Sequence, residues 1–129
     1  MNATSAKPLQ DVRVLVAEDD PLIALDVMGA LLRAGANVLG PAMSVERALE
    51  LAQAETIDCA VLDVMLRDGP VFPAAQILKN KGAGIVFYSG QAKPEDLQQH
   101  WPEAELLVKP VPLPELVRAV DAACHKRHR

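Results

Sequence analysis

The stretch VAEDDP, Val16 to Pro21, decides how the rest of the chain is read. It closes an apolar, strand-like run, VRVLVA over residues 12–17, and sets three acids side by side: Glu18, Asp19 and Asp20. Adjacent carboxylates repel one another and resist burial. Acids at the end of a buried strand therefore require compensating charge from elsewhere in the chain.

Strand-like and helix-like segments alternate outward from this point. Pro21 suits the first turn of a helix. Leu22, Leu25, Met28 and Leu32 recur at helical spacing as its apolar stripe, and Gly35 is placed to stop it. ANVLGP supplies a second strand. Ser44 is a good N-cap for a second helix with Val45, Ala48, Leu49 and Ala52 facing inward. DCAVLD is continuously apolar between two aspartates, the pattern of a parallel strand buried on both faces. A third helix is expected over residues 71–81, a fourth strand in GIVFYSG, a short polar helix at most over 93–101, and a fifth strand at 105–108. The last helix carries Leu113, Leu116, Val117, Val120 and Cys124 on one face. Five such units predict an α/β fold: a three-layer, doubly wound parallel sheet of (βα)5 type with helices on both faces.

Composition narrows the function classes. The chain has 129 residues, enough for one domain, and its 13 basic and 17 acidic residues give a formal charge of −4. That balance argues against a general nucleic-acid binder; the basic end HKRHR, 125–129, is expected to be a solvated tail. No apolar run approaches the ~20 residues of a membrane span, and MNATSAKPLQ lacks a signal-peptide core. Cys59 and Cys124 have no metal-type spacing and are expected to be buried thiols, in keeping with a cytoplasmic location.

In doubly wound sheets, sites form at the carboxyl ends of the strands. Strand one ends in Glu18, Asp19 and Asp20, strand three in Asp63, strand four in Ser89 and Gly90, strand five in Lys109 and Pro110. Hard carboxylate oxygens from Asp19 and Asp63 suit Mg²⁺. Asp63 is a candidate nucleophile toward phosphorus. Lys109 would neutralise phosphoryl oxygens as a point charge, and Ser89 would donate a hydrogen bond to one of them. Phosphoryl transfer asks for little beyond positioning and charge neutralisation. Asp20 is expected to act as an N-cap or solvated neighbour, and Asp68 as a loop acid.

The motifs VAEDDPLI, VLDVMLRDG, FYSG and LLVKP, in this order at four strand ends, resemble the receiver domain of two-component response regulators. The family is flavodoxin-like, with strand order 2-1-3-4-5. The resemblance spans about residues 11–124, leaving 1–10 as a disordered lead-in. It implies that Asp63 accepts a phosphoryl group from a sensor histidine kinase or histidine phosphotransfer protein, with Mg²⁺ as cofactor. Asp19 would ligate the metal directly, Glu18 mainly through water, and Met65 through its backbone carbonyl. Ser89 and Lys109 match the family's hydroxyl and lysine positions, Lys109–Pro110 would be a cis bond, and Gly69 would shape the loop after Asp63.

The chain departs from the family at Leu106, where Tyr or Phe is usual. The five residues after 124 leave no room for a DNA-binding or enzymatic output domain, so a single-domain regulator is expected. It would act by protein–protein binding or as a phosphoryl relay or sink, without nucleic acid or membrane and mainly as a monomer, with at most weak dimers. A haloacid-dehalogenase-type phosphatase would need an acid at Met65. A pseudo-receiver that binds partners without phosphorylation is the alternative, and the intact acids and lysine argue against it.

Overall fold

The computed structural model describes residues 7–90 and 94–127. In chain order the elements are β1 (Arg13–Ala17), α1 (Pro21–Arg33), β2 (Asn37–Ala42), α2 (Val45–Ala54) and β3 (Cys59–Leu62). There follow a two-stranded ribbon of β4 (Met65–Leu66) and β5 (Gly69–Pro70), then α3 (Phe72–Asn80), β6 (Gly84–Ser89), α4 (Pro94–His100), β7 (Glu105–Val108) and α5 (Leu113–Arg127). The main sheet has the order β2-β1-β3-β6-β7, and every neighbouring pair is parallel. This is the expected 2-1-3-4-5 arrangement. The antiparallel ribbon, pairing Met65 with Pro70, was not foreseen and lies in the loop after Asp63.

Side chains alternate across each strand, so the sheet feeds two cores. Leu15, Leu62 and Phe87 point to one face, where α2 and α3 bury Ala48, Leu51, Ala52, Ala74 and Leu78. Val14, Val16, Val61 and Tyr88 point to the other, where α1 and α5 bury Val27, Leu31, Leu116 and Val120. Cys59 and Cys124 are buried thiols outside any disulfide, as read from the sequence. Ser44 caps α2 by accepting from the Arg47 amide at 3.1 Å.

The apolar stripe read for the first helix is the wrong face. Leu22, Leu25 and Leu32 are 75, 69 and 55% exposed, whereas Ala24, Val27, Ala30 and Leu31 are buried. Only Met28 of the expected stripe packs, in part, against the core. At ~100° per residue the two stripes lie on roughly opposite sides of the helix. Both have helical spacing, because α1 is apolar nearly all round. Its small residues, Ala24 and Ala30, lie on the buried side.

Both ends of the packed unit also differ from expectation. Residues 1–6 of the proposed lead-in lie outside the described residues, but Leu9 is fully buried and its amide donates to the Ala34 carbonyl at 2.9 Å. α5 continues to Arg127, past residue 124. His125 pairs with Asp121 one turn back, and residues 128–129 are not described. Among the described residues no helix is long and apolar enough to cross a membrane.

Gly84 opens β6 where α5 comes closest to the sheet. A Cβ there would lie 2.5 Å from the Ala123 carbonyl oxygen, a backbone atom that cannot rotate away. Gly84→Ala should therefore displace α5 and destabilise the protein by about 1–3 kcal/mol, the range of overpacked cores. Urea unfolding of the variant checks this; an unchanged midpoint would refute the close approach.

Candidate functional site

The site is built by register. The β1–β3 pairing extends one residue beyond the strands, with the Asp63 amide donating to the Ala17 carbonyl at 2.9 Å. The Glu18 amide donates to the Ala42 carbonyl at 2.9 Å. Glu18 and Asp63 thus leave neighbouring strands at the same level.

The acidic triplet divides its work. Asp20 caps α1, accepting from the amides of Leu22 at 2.9 Å and Ile23 at 3.3 Å, one of the roles expected of it. Glu18 is buried, with Oε2 accepting from the Asp20 amide at 3.1 Å. Its Oε1 accepts from Lys109 Nζ at 2.6 Å, and the same ammonium donates to Asp63 Oδ2 at 2.9 Å. Glu18, Asp19 and Asp63 each offer one carboxylate oxygen within 4.8 Å of the others.

This arrangement answers the repulsion at the end of β1. Burial pushes the Glu18 carboxyl above its ordinary value, against the hydrogen bond from Lys109, which pulls it down. Burial also disfavours the Lys109 charge, but the hydrogen bonds to Glu18 and Asp63 outweigh it and raise the lysine above its ordinary value. The lysine is therefore a firm cation. Three carboxylates against one ammonium leave two formal negative charges. A hard divalent cation matches both that charge and the all-oxygen ligand set.

Lys109 is itself fixed from behind. Its amide donates to the Ser89 carbonyl at 3.0 Å, its peptide to Pro110 is cis, and its Nζ lies 5.5 Å from the centroid of the Tyr88 ring. Ser89 is buried at the end of β6, opposite Val108 in register. The Met65 amide donates to Asp63 Oδ1 at 3.4 Å. Gly69 has φ 135°, open to glycine and rarely to other residues, so the loop after Asp63 does depend on it. Of the residues singled out in the sequence, Glu18, Asp19, Asp63 and Lys109 converge directly, and Ser89 and Met65 join through backbone contacts. Trp101 stacks on Phe72 and meets Phe87 edge-on, away from the acids.

Asp68 does more than the sequence suggested. Its carboxylate accepts from the Val45 amide at 2.6 Å and the Glu46 amide at 3.2 Å, tying the β4–β5 turn to the start of α2. The partners are 23 and 22 residues away, so no local motif announces the contact.

With this geometry in place, comparison with known proteins is decisive. The response regulator receiver domain model matches residues 14–121. The chain belongs to that family. It is 33% identical over 116 residues to the transcriptional regulatory protein PdtaR of Mycobacterium tuberculosis, covering 86% of this chain and 56% of the relative. The chain thus spans little more than half that protein's length. Among solved structures, a response regulator receiver protein from Sinorhizobium medicae superposes with a TM-score of 0.82 at 28% identity, covering 92% of this chain and 98% of that one. SdrG from Sphingomonas melonis gives a TM-score of 0.75 at 28% identity, covering 88% and 96%.

The Asp68 contacts predict a pH dependence. The hydrogen bond from the Val45 amide, and then that from Glu46, hold the carboxyl below its ordinary value of 3.8. A group whose value is lowered by folding stabilises the protein above its unfolded value, and that contribution fades as pH falls through the folded one. Wild type should therefore melt above Asp68→Asn by a constant margin from pH 5 to 8, with the margin shrinking below about pH 4. Thermal melts across that range are the check; a margin that grows on acidification would contradict the assignment.

Proposed function

We propose that the protein is a response regulator that takes a phosphoryl group onto Asp63 from a sensor histidine kinase or a histidine phosphotransfer protein. The observation that carries this reading is the Lys109 ammonium clamped between Glu18 and Asp63, with Asp19 at ligand distance beside them. A carboxylate oxygen of Asp63 attacks phosphorus, the bond from phosphorus to the donor nitrogen breaks, and the donor imidazole keeps the electron pair. Lys109 and Ser89 then hold the phosphoryl oxygens through charge and a hydrogen bond. Mg²⁺ held by Asp19, Asp63 and the Met65 carbonyl, with Glu18 acting through water, would supply the remaining positive charge. The protein is a signalling module, and the only reaction it promotes is its own phosphorylation and hydrolysis. Its output is by protein–protein binding or as a relay or sink in the cytoplasm, mainly as a monomer.

Intact-mass measurement after incubation with acetyl phosphate and Mg²⁺ should show one added phosphoryl group, lost in Asp63→Asn and lost when the metal is chelated. Equal labelling of Asp63→Asn would sink the assignment. No labelling of wild type by any donor would leave an interaction module that works without phosphorylation.

The exposed face of α1 bears on the donor. A protein donor must bring its histidine to Asp63 and so covers the surface around it. α1 starts at the end of the acidic triplet, and Leu22 and Leu25 are exposed on its first two turns. Leu25→Glu should slow transfer from a histidine kinase by tenfold or more, about 1.4 kcal/mol, while leaving acetyl phosphate labelling unaltered. Equal slowing with both donors would mean that the substitution damages the site rather than a docking surface.

A further inference from the structure

Leu106 occupies the position where an aromatic residue is usual in this family, and it leaves a gap in function. It packs, partly buried, against the cluster containing Phe87 and Trp101. A leucine there offers neither hydroxyl nor ring to the residues at the acidic site. Another aromatic residue offers its ring to Lys109 and its hydroxyl to the segment that follows, from the opposite face of the sheet.

Tyr88 immediately precedes Ser89 on β6 and is buried among the α1 and α5 side chains. Its ring lies under the Lys109 ammonium, 5.5 Å from centroid to Nζ. Its hydroxyl accepts from the Val111 amide at 3.4 Å. The segment 109–111 is thus fastened to the end of β6 three times: the Lys109 amide on the Ser89 carbonyl, the ammonium on the Tyr88 ring, and the Val111 amide on the Tyr88 hydroxyl. Val111, Leu113 and Val117, which lead into and along α5, pack on the same cluster as Tyr88.

We infer that Tyr88 positions Lys109 at the site and passes the lysine's displacement to the entrance of α5. The inference rests on the phosphorylation reading for its second half only. In the resting protein the ring limits where the ammonium can sit, aiming it at Glu18 and Asp63. A phosphoryl group on Asp63 places new anionic oxygens beyond the present carboxylate, and the ammonium follows them. The ring contact weakens, the tyrosine is free to shift, and the long hydrogen bond to Val111 is the first to yield, because bonds weaken steeply with distance. The signal then runs along the α5 face rather than through position 106.

Two variants separate ring from hydroxyl. Tyr88→Phe keeps the ring, and Tyr88→Leu removes it. In the unphosphorylated protein the Lys109 Hε resonances should show a ring-current shift that survives in Tyr88→Phe and vanishes in Tyr88→Leu. Resonances unmoved by Tyr88→Leu overturn the positioning role, whether or not the protein labels. With acetyl phosphate and Mg²⁺, Tyr88→Leu should label about three- to tenfold more slowly, the range of a cation–π contact, and Tyr88→Phe should recover most of that loss. With beryllofluoride as phosphoryl mimic, amide shifts over residues 111–117 should fall by half or more in Tyr88→Phe relative to wild type. An undiminished response there overturns the transmission role. Failure of wild type to label or to respond to beryllofluoride would instead count against phosphorylation of Asp63, leaving the Lys109 resonances to decide the positioning role.

Discussion

One ammonium holds the acidic end of the sheet together. Lys109 comes from β7, which does not neighbour β3 or β1; β6 lies between. Reaching the Glu18–Asp63 pair means passing over the end of β6 to β3 and β1, two and three strand spacings or roughly 10 and 14 Å away. A lysine has the stem length for that crossing, and the end of β6 lets it pass. Ser89 and Gly90 are small, and even a Cβ on Gly90 would meet the Lys109 Cβ only at an ordinary contact distance of 3.9 Å. The register of four strands, the small residues at 89–90 and the turn into Lys109 all serve this one bridge. Without it, Glu18 would be a buried carboxylate with only a backbone amide for support, an arrangement that costs several kcal/mol.

Much of this was legible because strand ends announce themselves. A continuous apolar run that stops at an acid, a serine or a lysine gives both the strand and the residue placed at its carboxyl end. Glu18, Asp63, Ser89 and Lys109 were found that way, and parallel order then required them to converge. The apolar face of α1 was not legible for a physical reason. The sequence PLIALDVMGALLR carries two helical stripes, and period alone does not choose between them. The fold does: Ala24, Val27, Ala30 and Leu31 are buried, while Leu22, Leu25 and Leu32 remain in water. Large apolar groups left exposed in a row on one element usually mark a surface that is covered by a partner.

Contacts between residues far apart in sequence formed the second blind spot. Asp68 reads as an ordinary turn acid before Gly69, yet it fastens the loop that follows Asp63 to the start of α2. The first-turn amides of a helix need acceptors, and Ser44 supplies one from within. The second comes from another part of the chain, and only the fold reveals it. The same holds for Leu9, an isolated leucine in a polar lead-in whose burial depends on the turn after α1.

Charge limits what state the site can adopt. The three carboxylates and one ammonium already leave two formal negative charges in a partly buried place. A phosphoryl group on Asp63, as proposed, would itself carry about −1.5 to −2 but consume the aspartate's own charge, so the site would gain up to about one further negative charge. One lysine does not neutralise both, so the modified state is stable only with further positive charge at the site. By thermodynamic linkage, whatever cation favours the phosphoryl state is in turn bound more tightly by it. The lysine is shared between the two conditions. In the resting protein it is divided between Glu18 and Asp63, and any oxygen added beyond Asp63 competes for it. Glu18 then loses part of its compensation while buried, which favours its rearrangement toward a cation. Under the proposed phosphorylation, the same bridge that makes the resting site stable would make it responsive, because its central charge cannot satisfy the old partners and the new one at once.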